Sequence, residues 1–169
     1  MGNFKEDIAR VEAFVFDVDG VMTDGTLSPT PDGDFVRRYY AKDGYAMAYA
    51  IREGYKICII SGGRGDMLRR RMELLGVERM YLNCMDKIAA INEFMSDYKL
   101  NPENVIYMGD DIPDLECMRL VGIPVCPADA CMEVIEASRY VSEFDGGRGA
   151  VRDIIEQVLR AQGNWAKNT

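Results

Sequence analysis

The chain has 169 residues and no histidine, and its 28 acidic against 20 basic side chains leave a formal net charge of −8. Without an imidazole there is no Ser-His-Asp triad, Cys-His pair or histidine-bearing zinc site, so proton chemistry near neutral pH falls to carboxylates, lysine or a metal. The acidic balance opposes non-specific association with nucleic acid or anionic lipid, while 48% hydrophobic and 28% charged residues are the proportions of an ordinary globular chain.

In chain order, residues 1–10 are polar, with no apolar core of signal-peptide length, and no later run approaches a membrane span. A first buried strand is predicted at 13–16. Residues 22–42 read as a β-hairpin turning at Pro31-Asp32-Gly33, which is either a surface decoration or a projection beside a site at the sheet edge. Apolar residues at three- and four-residue spacing then predict helices over 44–53, 66–75, 87–98 and 113–121. Short apolar runs between them predict strands at 57–60, 105–108 and 123–126, and a last helix runs over 150–161. This alternation is that of an α/β chain with a central parallel sheet. No linker or repeat divides it, so the expectation is a single domain over 1–169. Met67, Met72, Met80 and Met85 are expected to pack in the core. The cysteines Cys58, Cys84, Cys117, Cys126 and Cys131 form no CxxC pair and read as reduced thiols, as in a cytoplasmic protein.

The chemistry concentrates where predicted strands end. Asp17-Val18-Asp19-Gly20 follows the first strand directly, and two carboxylates so close repel unless a cation or shared proton relieves them, which suggests an oxygen-bound divalent metal such as Mg2+. A calcium loop or a polar turn would carry the same residues. Ser61-Gly62-Gly63 ends the second strand, offering a hydroxyl and backbone N–H groups to an anion, unless Ser61 is only a helix cap. Lys87 opens a helix, where the dipole is already positive, so a bound phosphate would account for a cation there. Gly109-Asp110-Asp111 ends the third strand. Asp110 is placed for a metal, Asp111 for capping the helix led by Pro113, and Asp114 for orienting Lys87 or supporting the metal from behind.

Asp17-x-Asp19-Gly20, Ser61, Lys87 and Gly109-Asp110-x-x-x-Asp114, in that order, resemble the four motifs of the haloacid dehalogenase-like phosphohydrolases. Closer in, Asp19-Gly20-Val21-Met22-Thr23-Asp24-Gly25, Lys42-Asp43-Gly44, Asp86-Lys87 and the tail Gly146-Gly147-Arg148-Gly149-Ala150-Val151-Arg152 are similar to 3-deoxy-D-manno-octulosonate 8-phosphate phosphatases. The resemblance implies a Rossmann-like three-layer sandwich with a hairpin insert in place of a cap domain. It implies Asp17 as nucleophile and Asp19 as general acid and base. It implies Mg2+ on Asp17, the Asp19 carbonyl and Asp110, with Ser61, Gly62 and Lys87 around the phosphoryl group. Gly63 departs from the long side chain usual after Ser-Gly in relatives; the next cation is Arg64. With Thr23 and Arg148 it is a candidate contact to an acidic keto-sugar phosphate. Tyr39, Tyr40 and Tyr45 supply aromatic area for the homotetramer that the resemblance implies, in which a neighbour's tail (146–169) helps close the site. A nine-carbon keto-acid phosphate stays open as substrate. A receiver-like phospho-accepting domain is the competing class, although the second strand ends in Ser61 and not in an Asp that could accept the phosphoryl group.

Overall fold

Successive side chains of a strand face opposite sides of its sheet, and the buried runs predicted above use both sides. A computed structural model describes residues 3–167; Met1 and Gly2 of the polar N-terminal stretch and Asn168 and Thr169 of the tail lie outside the described residues. A short α1 (Phe4–Asp7) leads into β1 (Ala13–Phe16), followed by the hairpin strands β2 (Ser28–Pro29) and β3 (Phe35–Val36). Then come α2 (Ala41–Arg52), β4 (Lys56–Ile60), α3 (Asp66–Leu74), β5 (Arg79–Tyr81), α4 (Lys87–Asp97) and β6 (Val105–Met108). The chain continues through α5 (Leu115–Leu120), β7 (Ile123–Cys126), α6 (Met132–Ala137), β8 (Tyr140–Val141) and α7 (Ala150–Ala161).

All strands except the hairpin pair form one parallel sheet in the order β5-β4-β1-β6-β7-β8. Phe14 and Phe16 of β1, with Ile59 and Met108, face Met47, Leu68, Met72, Ile154 and Val158 of α2, α3 and α7. Val15 between them, with Cys58, Ile60 and Tyr107, faces Ile91, Phe94, Met118 and Val134 of α4, α5 and α6. The result is the expected three-layer sandwich. The chain runs from β1 outward through β4 and β5, then returns to build the other half from β6. That reversal puts the topological switch point at the carboxyl end of β1, where open α/β sheets bind ligands.

The sequence reading missed α1, β5, β8 and α6. The two strands have three and two residues, none fully buried, so they carry no apolar run. The helix predicted over 113–121 begins as a 3-10 turn, Ile112–Asp114, before α5. Met72 is in the core and Met80 packs against it, but Met67 and Met85 are exposed, because α3 turns Met67 to solvent and Met85 precedes α4. All five cysteines are free thiols.

Helix α7 buries Ala150, Val151, Ile154, Ile155, Val158 and Leu159 completely, a stripe at helical spacing that seals one face of the sheet. Its N-cap is Gly149, which has no side chain to cap with. The cap comes instead from α2: an Asp43 carboxylate oxygen accepts the Arg152 N–H at 2.9 Å. Burial pushes Asp43 up to about 6. Replacing Asp43 with Ala removes this tertiary cap and should cost about 1–2 kcal/mol, read by urea or thermal unfolding; an unchanged transition would mean that α7 is held by its apolar face alone.

Candidate active site

The loop after β1 is folded by its own backbone. The Asp17 N–H still reaches the Met108 carbonyl at 3.1 Å, and the Val21, Met22 and Thr23 N–H groups all converge on the Val18 carbonyl at 2.9–3.2 Å. The fully buried Thr23 hydroxyl accepts the N–H groups of Gly20 (3.3 Å) and Gly25 (3.1 Å), tying the turn together. Gly20 sits at φ +88°, and a Cβ there would lie 1.9 Å from Asp110 Oδ2. The glycine of Asp-x-Asp-Gly is therefore what lets the carboxylate after β6 approach the one after β1.

Asp17, Asp110 and Asp114 place carboxylate oxygens within 4.8 Å of one another. Lys87, at the start of α4, lies 2.8 Å from Asp114 Oδ1 and 3.4 Å from Asp17 Oδ1. The Tyr107 hydroxyl donates to Asp114 Oδ1 at 2.7 Å, and the Asp110 N–H donates to Asp114 Oδ2 at 3.1 Å. Asp114, 1% exposed, is thus committed on both oxygens and acts as a support, leaving Asp17 and Asp110 to face the opening. Asp111 caps the turn at Ile112, and Asp111 and Asp114 complete a capping box. Tyr107 was not singled out from sequence. Its signal was a hydroxyl in a fully buried strand, which needs a partner.

Burial, then the nearby Asp114 charge, raises Asp17 above the ordinary carboxylate range. Burial, then Asp17 and Asp114, pushes Asp110 up to about 8. Burial alone would lower Lys87, but Asp17 and Asp114 more than offset it and hold the ammonium above its ordinary value. An all-oxygen donor set with excess negative charge fits Mg2+, a hard cation bound by carboxylates and carbonyls.

A cleft of about 860 Å³ opens over this cluster. Ser61, Gly62 and Arg64 line it with the carboxylates and Lys87. The buried Ser61 hydroxyl accepts the Gly63 N–H at 3.0 Å and does not cap α3, whose N-cap is Gly65. The hairpin reaches the cleft through Leu27, Phe35 and Arg37. Arg37, absent from the sequence reading, donates from Nε to Asp19 Oδ1 at 2.7 Å and from Nη2 to Asp19 Oδ2 at 3.2 Å. Thr23 and Arg148 do not line the cleft. Thr23 is the internal tie described above, and Arg148 borders a separate cavity with Lys42 and Arg152. The glycines of the tail are packed tightly: the Gly147 N–H donates to the Val21 carbonyl at 3.0 Å, and a Cβ on Gly146 would meet the Gly20 carbonyl oxygen at 1.9 Å.

The structure thus brings carboxylates after β1 and β6 and a lysine heading α4 to one sheet edge, and the model of the haloacid dehalogenase-like hydrolases matches residues 80–155. The 3-deoxy-D-manno-octulosonate 8-phosphate phosphatase KdsC of Yersinia pestis is 35% identical over 91% of this chain and 82% of its own. The Escherichia coli K12 enzyme of that name is 33% identical over the same shares. Among solved structures, the Y. pestis phosphatase superposes with a TM-score of 0.94 at 33% identity, covering 98% of this chain and 89% of its own. The Moraxella catarrhalis phosphatase, in complex with a magnesium ion, a phosphate ion and a KDO molecule, gives 0.90 at 28% identity over 95% and 92%. The chain belongs to the 3-deoxy-D-manno-octulosonate 8-phosphate phosphatase family of haloacid dehalogenase-like hydrolases.

The raised carboxylates have a consequence for stability. Asp17 and Asp110 bind protons more tightly folded than unfolded. Their contribution is therefore full below the unfolded carboxylate range and is lost as pH rises through their folded values. A divalent cation competes with those protons, so Mg2+ should raise Tm more at about pH 8.5 than at about pH 6, and Asp110→Asn should abolish most of the difference. Equal shifts at both pH values would contradict a cation site on these carboxylates.

Proposed function

We propose that this chain is a Mg2+-dependent phosphoric monoester hydrolase that converts 3-deoxy-D-manno-octulosonate 8-phosphate to 3-deoxy-D-manno-octulosonate and phosphate through an aspartyl-phosphate on Asp17. The observation that carries the reading is the placement of Asp17 at the floor of the cleft, 3.4 Å from Lys87 and grouped with Asp110 and Asp114. Such a carboxylate has a cation beside it for the phosphoryl oxygens and an oxygen free to attack phosphorus.

In this reading Asp17, Asp110 and the backbone carbonyl of Asp19 hold the metal, which neutralises phosphoryl charge when bound. Asp17 attacks phosphorus; the bond to the sugar oxygen breaks, its electron pair stays on that oxygen, and Asp19 supplies the proton. Asp19 then takes a proton from the water that attacks the aspartyl-phosphate, and the bond between phosphorus and Asp17 breaks to release phosphate. Ser61, the Gly62 N–H and Lys87 hold the phosphoryl oxygens. Asp114 and Tyr107 keep Lys87 aimed at them, with Asp111 fixing the turn that carries Asp114. No step needs an imidazole.

The same reading makes the chain cytoplasmic, serving lipopolysaccharide-precursor synthesis as a homotetramer. Among the described residues no helix is long and apolar enough to cross a membrane. Leu27 and Val36 of the hairpin and Tyr45 of α2 are exposed, which supplies contact area for neighbouring subunits. Arg64 is the cleft cation nearest in sequence to Ser61 and a contact for the substrate carboxylate.

Asp17→Asn should lower phosphate release by more than about a thousandfold with the fold intact; retained turnover would remove Asp17 as nucleophile. Across a panel of sugar phosphates, kcat/KM should favour the eight-carbon over the nine-carbon keto acid by more than about tenfold. A ratio near unity would leave both as substrates. Sedimentation should show a tetramer at low micromolar concentration, and a fully active monomer would contradict the assembly.

A further inference from the structure

The guanidinium of Arg37 is brought from the hairpin onto a residue 18 positions earlier in the chain, and its burial is out of keeping with a surface ornament. The side chain is 2% exposed, whereas that of Asp19, which it grips, is 25% exposed. Burying a guanidinium is costly unless it is paired, and here the pairing is two-pronged, from Nε and Nη2 to the two oxygens of one carboxylate. Among the described residues the remaining Nη1 is buried without a hydrogen-bond partner, so the placement serves Asp19 rather than the full donor set of the arginine. The Phe35 ring lies 6.0 Å from the guanidinium carbon.

Gly63 makes room for this contact. A Cβ at that position would lie 2.7 Å from Arg37 Nη2, 3.1 Å from Asp19 Oδ2 and 3.1 Å from Ser61 Oγ. The glycine, the arginine and the acid therefore form one packing unit contributed by the turn after β4, the hairpin and the loop after β1.

We propose that Arg37 is a positioning residue for Asp19, fixing its carboxylate so that proton transfer to the leaving oxygen depends on the hairpin. The inference rests on the phosphatase reading above. A carboxylate beside an open cleft turns about its side-chain bonds; a two-pronged contact holds both oxygens in one orientation, and misplacement of a proton donor by even an ångström costs rate.

Leaving groups that differ in their need for a proton separate this role from a structural one. A sugar alkoxide needs the proton from Asp19, and 4-nitrophenolate does not, so kcat/KM is compared for 3-deoxy-D-manno-octulosonate 8-phosphate and 4-nitrophenyl phosphate. Arg37→Met should lower the ratio between the two substrates by about tenfold or more, with KM for each within about threefold of the parent. Arg37→Lys keeps a cation without the fork and should show the same selective loss. Gly63→Ala, which leaves Arg37 in the chain and intrudes on its Nη2, should reproduce the loss and keeps the test open if the Arg37 variants do not fold. Equal losses on both substrates, a loss carried by KM, or full activity in Arg37→Lys would overturn the assignment. Failure of the parent protein to release phosphate from the sugar phosphate would instead overturn the functional reading itself.

Discussion

The site is organised by repulsion among carboxylates that the fold forces together. Asp17 and Asp110 emerge from adjacent parallel strands, and Asp114 follows within one turn; with oxygens within 4.8 Å of each other they would drive the loops apart if left uncompensated. Lys87 relieves part of this by touching both Asp17 and Asp114, and Tyr107 and the Asp110 N–H satisfy Asp114 further. What is left is a surplus of negative charge on the two carboxylates facing the cleft. That surplus is what a divalent cation matches, and in the proposed reading it lets a chain with a net charge of −8 receive a phosphate through a local attraction built from a metal, Lys87 and the backbone.

Holding this arrangement requires a rigid scaffold behind it. β1 is buried on both sides and paired on both edges, with β4 and β6, so the point at which Asp17 leaves the sheet is set by two ladders. Close approaches complete the geometry. Gly20 admits Asp110, and at Gly109 a Cβ would fall 2.4 Å from the Asp114 side chain. The tail glycines let a loop from the far end of the chain lie against Gly20. The hairpin, small as its strands are, reaches the same cleft with Arg37 and Phe35.

Much of this was legible in the sequence because it is local. Buried strands ending in Asp-x-Asp-Gly and Gly-Asp-Asp declare both the sheet and the carboxylates at its edge, and Asp111 before Ile112-Pro113 reads directly as a cap. Lys87 and Asp114 were readable as partners from their places at two helix starts, with support of the metal as the alternative for Asp114; the 2.8 Å contact decides for the pairing. Arg37 was not legible: nothing in Phe35-Val36-Arg37-Arg38 says which arginine turns inward, since that depends on how the hairpin folds over the cleft. Tyr107 looked like another apolar strand residue. Thr23 and Arg148 stand beside motif residues in sequence, yet the first is turned inward as a tie and the second lies across the loop in another cavity. The strands β5 and β8 escaped because two or three residues at a sheet edge carry no period of their own.

The central claim is that the carboxylate after β1 takes the phosphoryl group. Its most direct test is a rapid acid quench of the protein turning over 3-deoxy-D-manno-octulosonate 8-phosphate, followed by borohydride reduction and peptide mass analysis, which converts an acyl phosphate into a stable alcohol at the residue that carried it. The account predicts that alcohol at residue 17, in a Lys87-dependent amount. Its appearance at Asp110 or Asp19, or phosphate release with no acyl phosphate at any residue, would contradict it.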